Sequence, residues 1–340
     1  KENSATTDLY RVDYDGRNLK RLTFGDYTHH VSVSPDGKYF ITNYSNVATP
    51  NKVALVDRNG KIIRELADSK SNDFDHYKIG KTNYFTIPSD DGKFDLPVII
   101  TYPVNFDETK EYPVIMSIYG GPDAGTVRNT WKGVSGQYWS KEDVIQVSCD
   151  HRASGHYGKQ GVAWMHRNLG KWEMVDYITV AKWLKAKSWV KKDKLLITGH
   201  SYGGYMTCLA LTKGAEYFDY GIAGAPVTSW ELYDTHYTER WMDTPQENPI
   251  GYKEGSILNY IPLYKGRLRI MHGDLDDNVH LQNTMQLVDA LTERDVPFEL
   301  MIYPGSRHGF NRSKSAYDFN ERVRFYYQYL LERPVPSDFQ

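Results

Sequence analysis

One six-residue stretch constrains the fold of this chain more than any other: Gly199-His200-Ser201-Tyr202-Gly203-Gly204. It follows the apolar run Leu195-Leu196-Ile197 and precedes Tyr205-Met206-Thr207-Cys208-Leu209-Ala210-Leu211, which reads as a helix. A strand, a G-x-S-x-G turn and a helix together make a nucleophile elbow. The turn is so sharp that backbone packs on backbone, and only glycine fits on either side of the serine. The serine hydroxyl is then lifted above the sheet, with a helix N-terminus behind it. The pattern predicts a serine hydrolase of α/β architecture. A chance glycine-rich turn is the alternative.

The 340 residues leave room for one large α/β domain and something smaller. A formal charge of −2 and the lack of a basic stripe argue against nucleic acid as a partner. No apolar run reaches membrane-spanning length. Lys1-Glu2-Asn3 carries no signal-peptide pattern, and so abrupt a start leaves room for an export signal upstream. Cys149 and Cys208 sit in or beside apolar runs, so two buried thiols are expected rather than a disulfide framework. The 27 tyrosines suit a wet cavity that holds peptides, or simply a tyrosine-rich surface.

Residues 6–66 read as β structure only. Leu9–Asp13, Leu19–Leu22, Val31–Val33, Tyr39–Thr42, Val53–Asp57 and Ile62-Ile63 are short strands, joined by D-G and N-G turns that mark hairpins. The recurring unit resembles β-propeller blades. About six strands make roughly one and a half four-stranded blades. Such a piece cannot close a ring, which predicts the C-terminal portion of a longer protein. A small β-domain complete in itself is the alternative. We assign residues 1–66 to the remnant of C-terminal propeller blades, 67–91 to a polar linker and 92–340 to a catalytic domain. In that last segment short buried strands alternate with helical patterns, as in a doubly wound, mostly parallel sheet.

A serine hydroxyl needs a base, and the base needs a group that holds its tautomer. On this fold the order is Ser, then an acid, then His, at the ends of successive strands. After the strand Leu268–Met271 comes His272-Gly273-Asp274-Leu275-Asp276-Asp277-Asn278-Val279-His280. Asp276 lies past the tight turn and is the favoured acid, with Asp274 next. After the strand Phe298–Tyr303 comes Pro304-Gly305-Ser306-Arg307-His308-Gly309, which makes His308 the expected base. His272 and His280 are expected to be structural or to support the acid. The tetrahedral oxyanion needs donors. One is the amide of Tyr202. The other is expected from the loop Ile118-Tyr119-Gly120-Gly121-Pro122, where the Tyr119 phenol could donate or could be a core tyrosine before a glycine turn. No metal-site, Walker or dinucleotide motif is present, and this chemistry needs neither cofactor nor metal.

Four motifs occur in the order found in the prolyl oligopeptidase family: Ile118-Tyr119-Gly120-Gly121-Pro122, Asp150-His151-Arg152-Ala153-Ser154-Gly155, Gly199–Tyr205 and Asp276-Asp277-Asn278-Val279-His280. Ala225-Pro226-Val227, Trp230 to Asp234 and Tyr237-Thr238-Glu239-Arg240 resemble the dipeptidyl peptidase IV branch in particular. The resemblance runs from about residue 5 to the end. It implies an α/β-hydrolase preceded by a β-propeller, here partial, with Ser201 as nucleophile, Asp276 as orienting acid and His308 as base. It makes the Tyr119 hydroxyl and the Tyr202 amide the oxyanion hole. It places Val227, Trp230, Tyr233, Tyr237 and Val279 around the pocket for the residue before the cleaved bond, with Tyr202 completing the wall.

A shallow aromatic box suits proline, which is compact, apolar and lacks an N–H. Asn278 is expected to hydrogen-bond the carbonyl of the preceding residue. Spacings of three and four fit an ordinary aromatic helix face as well.

The implied activity is release of N-terminal dipeptides after proline or alanine, from peptides with Pro or Ala at the second position. Tripeptide release is the near alternative, because the propeller glutamates that hold the amino terminus lie outside this chain. A general esterase, or a non-catalytic binding member of the family, are the more distant ones. A homodimer and a periplasmic, extracellular or cell-surface location are implied by resemblance alone.

Overall fold

The computed structural model describes residues 3–134 and 136–339. It divides into two compact units. One holds the chain up to Phe85 with Ile99–Phe106 and Val127–Asp143; the other holds Thr86–Val98, Asp107–Thr126 and the chain from Val144 onward.

In the first unit, β1 (Tyr10–Arg11) pairs antiparallel with β2 (Lys20–Arg21). β3 (Thr28–Val33), β4 (Tyr39–Asn46), β5 (Thr49–Asp57) and β6 (Ile62–Asp68) then form a four-stranded antiparallel meander. Its turns use Gly37 at φ +64° and Gly60 at φ +91°, the backbone that D-G and N-G turns supply. The period of two is plain in β4: Phe40, Thr42 and Tyr44 are buried while Tyr39 and Ile41 are exposed. Phe40, Tyr44, Ala54 and Val56 pack with Leu22 into a small core. Two strands plus four match the predicted blade and a half. A short helix, α1 (Gln137–Lys141), also belongs to this unit.

The larger sheet has eight strands: β7 (Thr82–Pro88), β8 (Asp95–Thr101), β9 (Tyr112–Ser117), β10 (Ile145–Cys149), β11 (Val190–His200), β12 (Tyr220–Gly224), β13 (Arg267–Gly273) and β14 (Phe298–Tyr303). Their order is β14-β13-β12-β11-β9-β10-β8-β7. Every pairing among β9 to β14 is parallel. The connecting helices are α2 (Gly158–Val162), α3 (Trp172–Lys185), α4 (Tyr202–Ala210), α5 (Thr235–Met242), α6 (Pro249–Gly255), α7 (Gln282–Thr292) and α8 (Arg312–Phe325). The swap of β9 and β10 in the strand order, with β9 parallel to both β11 and β10, is the doubly wound α/β-hydrolase arrangement. Leu195, Leu196 and Ile197 are fully buried, as a central strand covered on both faces requires. Both cysteines are buried and free.

The segment 67–91, read from sequence as a linker, contains strand β7. Tyr84, Thr86 and Pro88 alternate there with Asn83, Phe85 and Ile87, so polar residues on both faces mask the period of two. The first unit also takes in two later segments, which a boundary at residue 92 does not separate.

The Asp150-His151-Arg152 segment follows β10 and is wholly buried. Arg152 donates from Nη2 to Asp176 Oδ1 at 2.7 Å, from Nε to Asp176 Oδ2 at 2.9 Å and from Nη1 to Asp91 Oδ2 at 2.9 Å. Its guanidinium lies 4.5 Å from the Trp172 ring centroid. His151 Nε2 donates to the Gly120 carbonyl at 2.9 Å, which ties this segment to the loop after β9. Replacing Arg152 leaves Asp176 buried without a counter-charge. Arg152→Met is therefore expected to lower stability by about 3–5 kcal/mol. Chemical denaturation would measure it, and an unchanged midpoint would contradict the assignment.

Candidate active site

Strand β11 ends at His200, and Ser201 turns the chain into α4 with φ +62° and ψ −119°. A non-glycine residue in this region is strained and persists only where its surroundings hold it. They do so here. The Ser201 amide donates to the Gly224 carbonyl at 2.8 Å, and the Ser201 carbonyl accepts from the Tyr205 amide at 3.0 Å. A Cβ on Gly199 would lie 2.6 Å from the Gly203 backbone, and one on Gly203 would lie 2.8 Å from the Ile118 carbonyl oxygen. The glycine requirement read from the sequence thus has its cause in backbone packing across the elbow.

Two loops at the ends of later strands carry the candidate acid, Asp276, and the candidate base, His308. Asp276 lies beyond β13, its side chain closed to solvent. Its Oδ1 accepts from the amides of Asn278 at 2.9 Å and Val279 at 3.0 Å. Its Oδ2 accepts from His308 Nδ1 at 2.8 Å and lies 3.1 Å from His272 Nε2. Burial pushes this carboxyl up, but the bonds from His272, His308 and the Asn278 amide outweigh it and hold the group well below the usual carboxylate range. Asp274, the other candidate, is exposed and accepts instead from the Gly305 amide at 2.6 Å. His272 is fully buried, with Nε2 donating to the Val279 carbonyl at 2.7 Å and Nδ1 beside the Thr284 hydroxyl at 2.7 Å. It holds the loop that carries Asp276.

His308 lies in the loop after β14. With Nδ1 engaged by Asp276, its Nε2 is left to act as an acceptor. Among the described residues there is no direct hydrogen bond between Ser201 Oγ and the His308 ring. The two are linked through His200. Its Nε2 donates to the His308 carbonyl at 2.7 Å, with the two rings 4.9 Å apart. Burial and the neighbouring His308 push His200 down to about 4, so it is a neutral donor at physiological pH. Catalytic hydrogen bonds are often loose before substrate binds.

Tyr119, half-buried after β9, has its phenol near the Ser201 side chain. Burial pushes this phenol up and the serine contact opposes the shift. It stays protonated and able to donate. The Tyr202 amide opens α4, directly after Ser201.

The aromatic residues expected to form the box come together. Trp230 is buried, with ring centroids 5.3 Å from Tyr202, 6.0 Å from Tyr233 and 6.2 Å from Tyr237, the last pair nearly parallel at 24°. Tyr233 and Tyr237 meet edge to face at 5.4 Å. Val227 and Val279 are buried. The tyrosines and tryptophan do not share one helix: Trp230 is in a single 3-10 turn, Tyr233 is extended, and α5 begins only after Asp234, whose carboxylate caps it by accepting from the Tyr237 amide at 2.8 Å. Asn278 Oδ1 accepts from the Tyr233 hydroxyl at 2.7 Å. A cavity of about 800 Å³ adjoins Tyr237 and is lined also by Pro122, Lys159, Arg240 and Trp241.

Sequence reasoning did not single out His200 or Glu173. Glu173, in the first turn of α3, is fully buried and accepts from the Tyr202 hydroxyl at 2.6 Å. Both act on partners far away in the sequence, and no local motif announces them.

Residues 132–333 match the prolyl oligopeptidase family, and residues 1–51 match the dipeptidyl peptidase IV N-terminal region. The probable dipeptidyl-aminopeptidase B of Trichophyton verrucosum is 37% identical over 328 residues, which is 91% of this chain and 35% of that protein. The counterpart from Aspergillus terreus is 35% identical over 333 residues, or 95% of this chain and 36% of that protein. The crystal structure of Porphyromonas gingivalis dipeptidyl peptidase 4 aligns with a TM-score of 0.85 at 32% identity, covering 96% of this chain and 47% of that one. The chain thus spans about a third of the curated relatives' length and just under half of the solved structure's. With its elbow, its α/β-hydrolase sheet and a family match over more than half its length, this chain belongs to the prolyl oligopeptidase family, in the dipeptidyl peptidase IV branch.

Proposed function

We propose that this site is that of a serine dipeptidyl peptidase that releases N-terminal dipeptides after proline or alanine. The observation that carries the reading is convergence on one strained serine: the His308–Asp276 pair, the Tyr119 phenol and an aromatic box all adjoin the elbow at Ser201. The relatives named dipeptidyl-aminopeptidase B and dipeptidyl peptidase 4 support it.

The steps follow from the groups present. His308 Nε2 takes the Ser201 proton as Oγ attacks the carbonyl of the second residue. The oxyanion accepts from the Tyr202 amide and the Tyr119 hydroxyl. The C–N bond breaks, and the imidazolium gives its proton to the departing amine. Water, deprotonated by His308, then hydrolyses the acyl-enzyme. Asp276 keeps the proton on Nδ1 and stabilises the imidazolium. The box formed by Val227, Trp230, Tyr233, Tyr237 and Val279 receives the proline ring. Asn278 bonds the carbonyl of the preceding residue.

Chromogenic amides of Gly-Pro and Ala-Ala-Pro, each with a free and a blocked amino terminus, separate the readings. Hydrolysis of free Gly-Pro amide alone is expected. Release from Ala-Ala-Pro alone would make the protein a tripeptidyl enzyme, and hydrolysis of simple esters without any amide would make it an esterase. Ser201→Ala is expected to lower kcat by about 10⁴–10⁶-fold; surviving activity would move the nucleophile elsewhere. Tyr119→Phe removes one oxyanion donor and is expected to lower kcat by about 10²–10³-fold with little change in KM.

Asp276 carries a pH signature. Its carboxyl is held down in the folded state, so its charge stabilises the fold above the unfolded value of about 3.9 and that contribution fades as pH falls. Wild-type stability is expected to drop more steeply than that of Asp276→Asn as pH falls below about 4. Equal slopes in acid titrations followed by circular dichroism would refute this.

A further inference from the structure

We infer that Glu173 is a positioning residue for the aromatic box: it clamps the phenol of Tyr202 and so sets how closely the pocket fits a proline ring. The inference rests on the reading of the site given above.

Glu173 is wholly buried at the start of α3, and its acceptor capacity is used unevenly. Oε1 accepts from the Tyr202 hydroxyl at 2.6 Å and from the Gly170 amide at 2.8 Å. Oε2 is closed to solvent and has no hydrogen-bond partner among the described residues. No salt bridge to a lysine, arginine or histidine is formed by this carboxylate among the described residues. A buried carboxyl with half its lone pairs unused is costly, and a well-packed apolar residue would be the cheaper filler. Such a group calls for an explanation beyond packing.

Tyr202 supplies that explanation. Its amide follows the nucleophile, while its ring is a wall of the box, 5.3 Å from Trp230 and 5.4 Å from Tyr205. The backbone end is fixed by the elbow. Trp230 and Tyr205 pack against its ring, and the polar tip needs a partner that fixes its position. The short bond to Glu173 holds it. Gly170, the other donor to Oε1, sits at φ +83°, where a Cβ would come within 2.0 Å of the Tyr205 hydroxyl. Tyr205 in turn donates to the Gly255 carbonyl at 2.8 Å. The clamp is therefore anchored in packed backbone. Burial first, and then the charge of Glu173, pushes the Tyr202 phenol well above its ordinary value, so the box stays uncharged and the phenol stays a donor.

The consequence is selective. A proline ring uses the whole box, whereas alanine touches little of it. Loosening the Tyr202 ring costs proline more than alanine, and it costs KM more than kcat, because the amide that faces the oxyanion is backbone.

The test compares kcat/KM for Gly-Pro and Gly-Ala chromogenic amides in the full chain. Glu173→Ala is expected to lower the Pro/Ala ratio at least about tenfold through KM, and Glu173→Gln, which keeps a carbonyl acceptor, to restore it. Tyr202→Phe removes the same bond from the other side and should lower the ratio likewise, so the assignment is decided even if Glu173→Ala does not fold. A ratio within about twofold of wild type in folded Glu173→Ala or in Tyr202→Phe overturns the proposal.

A second readout does not depend on turnover: calorimetric Kd values for glycine pyrrolidide and glycine dimethylamide. The preference for the ring compound should fall in Glu173→Ala and Tyr202→Phe. If the wild type cleaves neither amide yet prefers the pyrrolidide, the peptidase reading fails and the clamp stands or falls on these affinities. Equal preference in wild type and variants overturns the clamp.

Discussion

The strained backbone at Ser201 is the constraint on which the rest of the site depends. A serine at φ +62° is stable only if neighbouring backbone holds it there, and the Gly224 carbonyl and the close passage of Gly203 under Gly199 do so. Those contacts explain why β11 must be central and flanked by parallel strands. β12 supplies the Gly224 carbonyl on one side. β9 leads into the Ile118–Tyr119 loop on the other. The family's sheet order is thus a requirement of the elbow as much as a way to cover a core.

Around that fixed point the acid loop does the most with the least. One carboxylate collects two amides of its own loop and two imidazoles from different elements. The loop is folded by the same carboxylate that holds the His308 ring, so the shape of the one and the orientation of the other cannot be varied separately. His272 and Thr284 hold the far side of this arrangement, and His200 holds the backbone of His308. Three histidines therefore stand near one another in three different roles, with the partner of each ring nitrogen fixing its part.

Legibility from sequence followed the range of the interactions. Ser201 is announced by its immediate neighbours, and the strands by their local alternation. Asp276 and His308 were named because chain order and strand ends point to them, and the structure joins them by a hydrogen bond. Asp276 and Asp274 share one loop, and what separates them is the turn of the Asn278 and Val279 amides onto one carboxylate, which no pattern encodes. Glu173 and Tyr202 are 29 residues apart, and His200 and His308 are 108 apart. Such pairs leave no local trace. Strand β7 was missed for a different reason: polar residues on both faces erase the apolar alternation that marks a half-buried strand. The aromatic residues were seen, but their spacing suggested a helix face equally well, and only the extended backbone at Tyr233 breaks that alternative.

The bond between Tyr233 and Asn278 has a consequence for how a peptide is read. The phenol donates to Oδ1, which leaves the NH₂ group as the unengaged end of the amide in this orientation; turning it over would require the phenol to accept instead. An asparagine free to flip would accept from an N–H as readily as it donates to a C=O. In the orientation seen here, the free NH₂ group of Asn278 answers to an acceptor. A peptide backbone alternates acceptors and donors along its length, so a one-sided group of this kind senses register. On the proposed reading, it would favour a peptide placed with a carbonyl opposite Asn278 and oppose one slipped so that an N–H faces it.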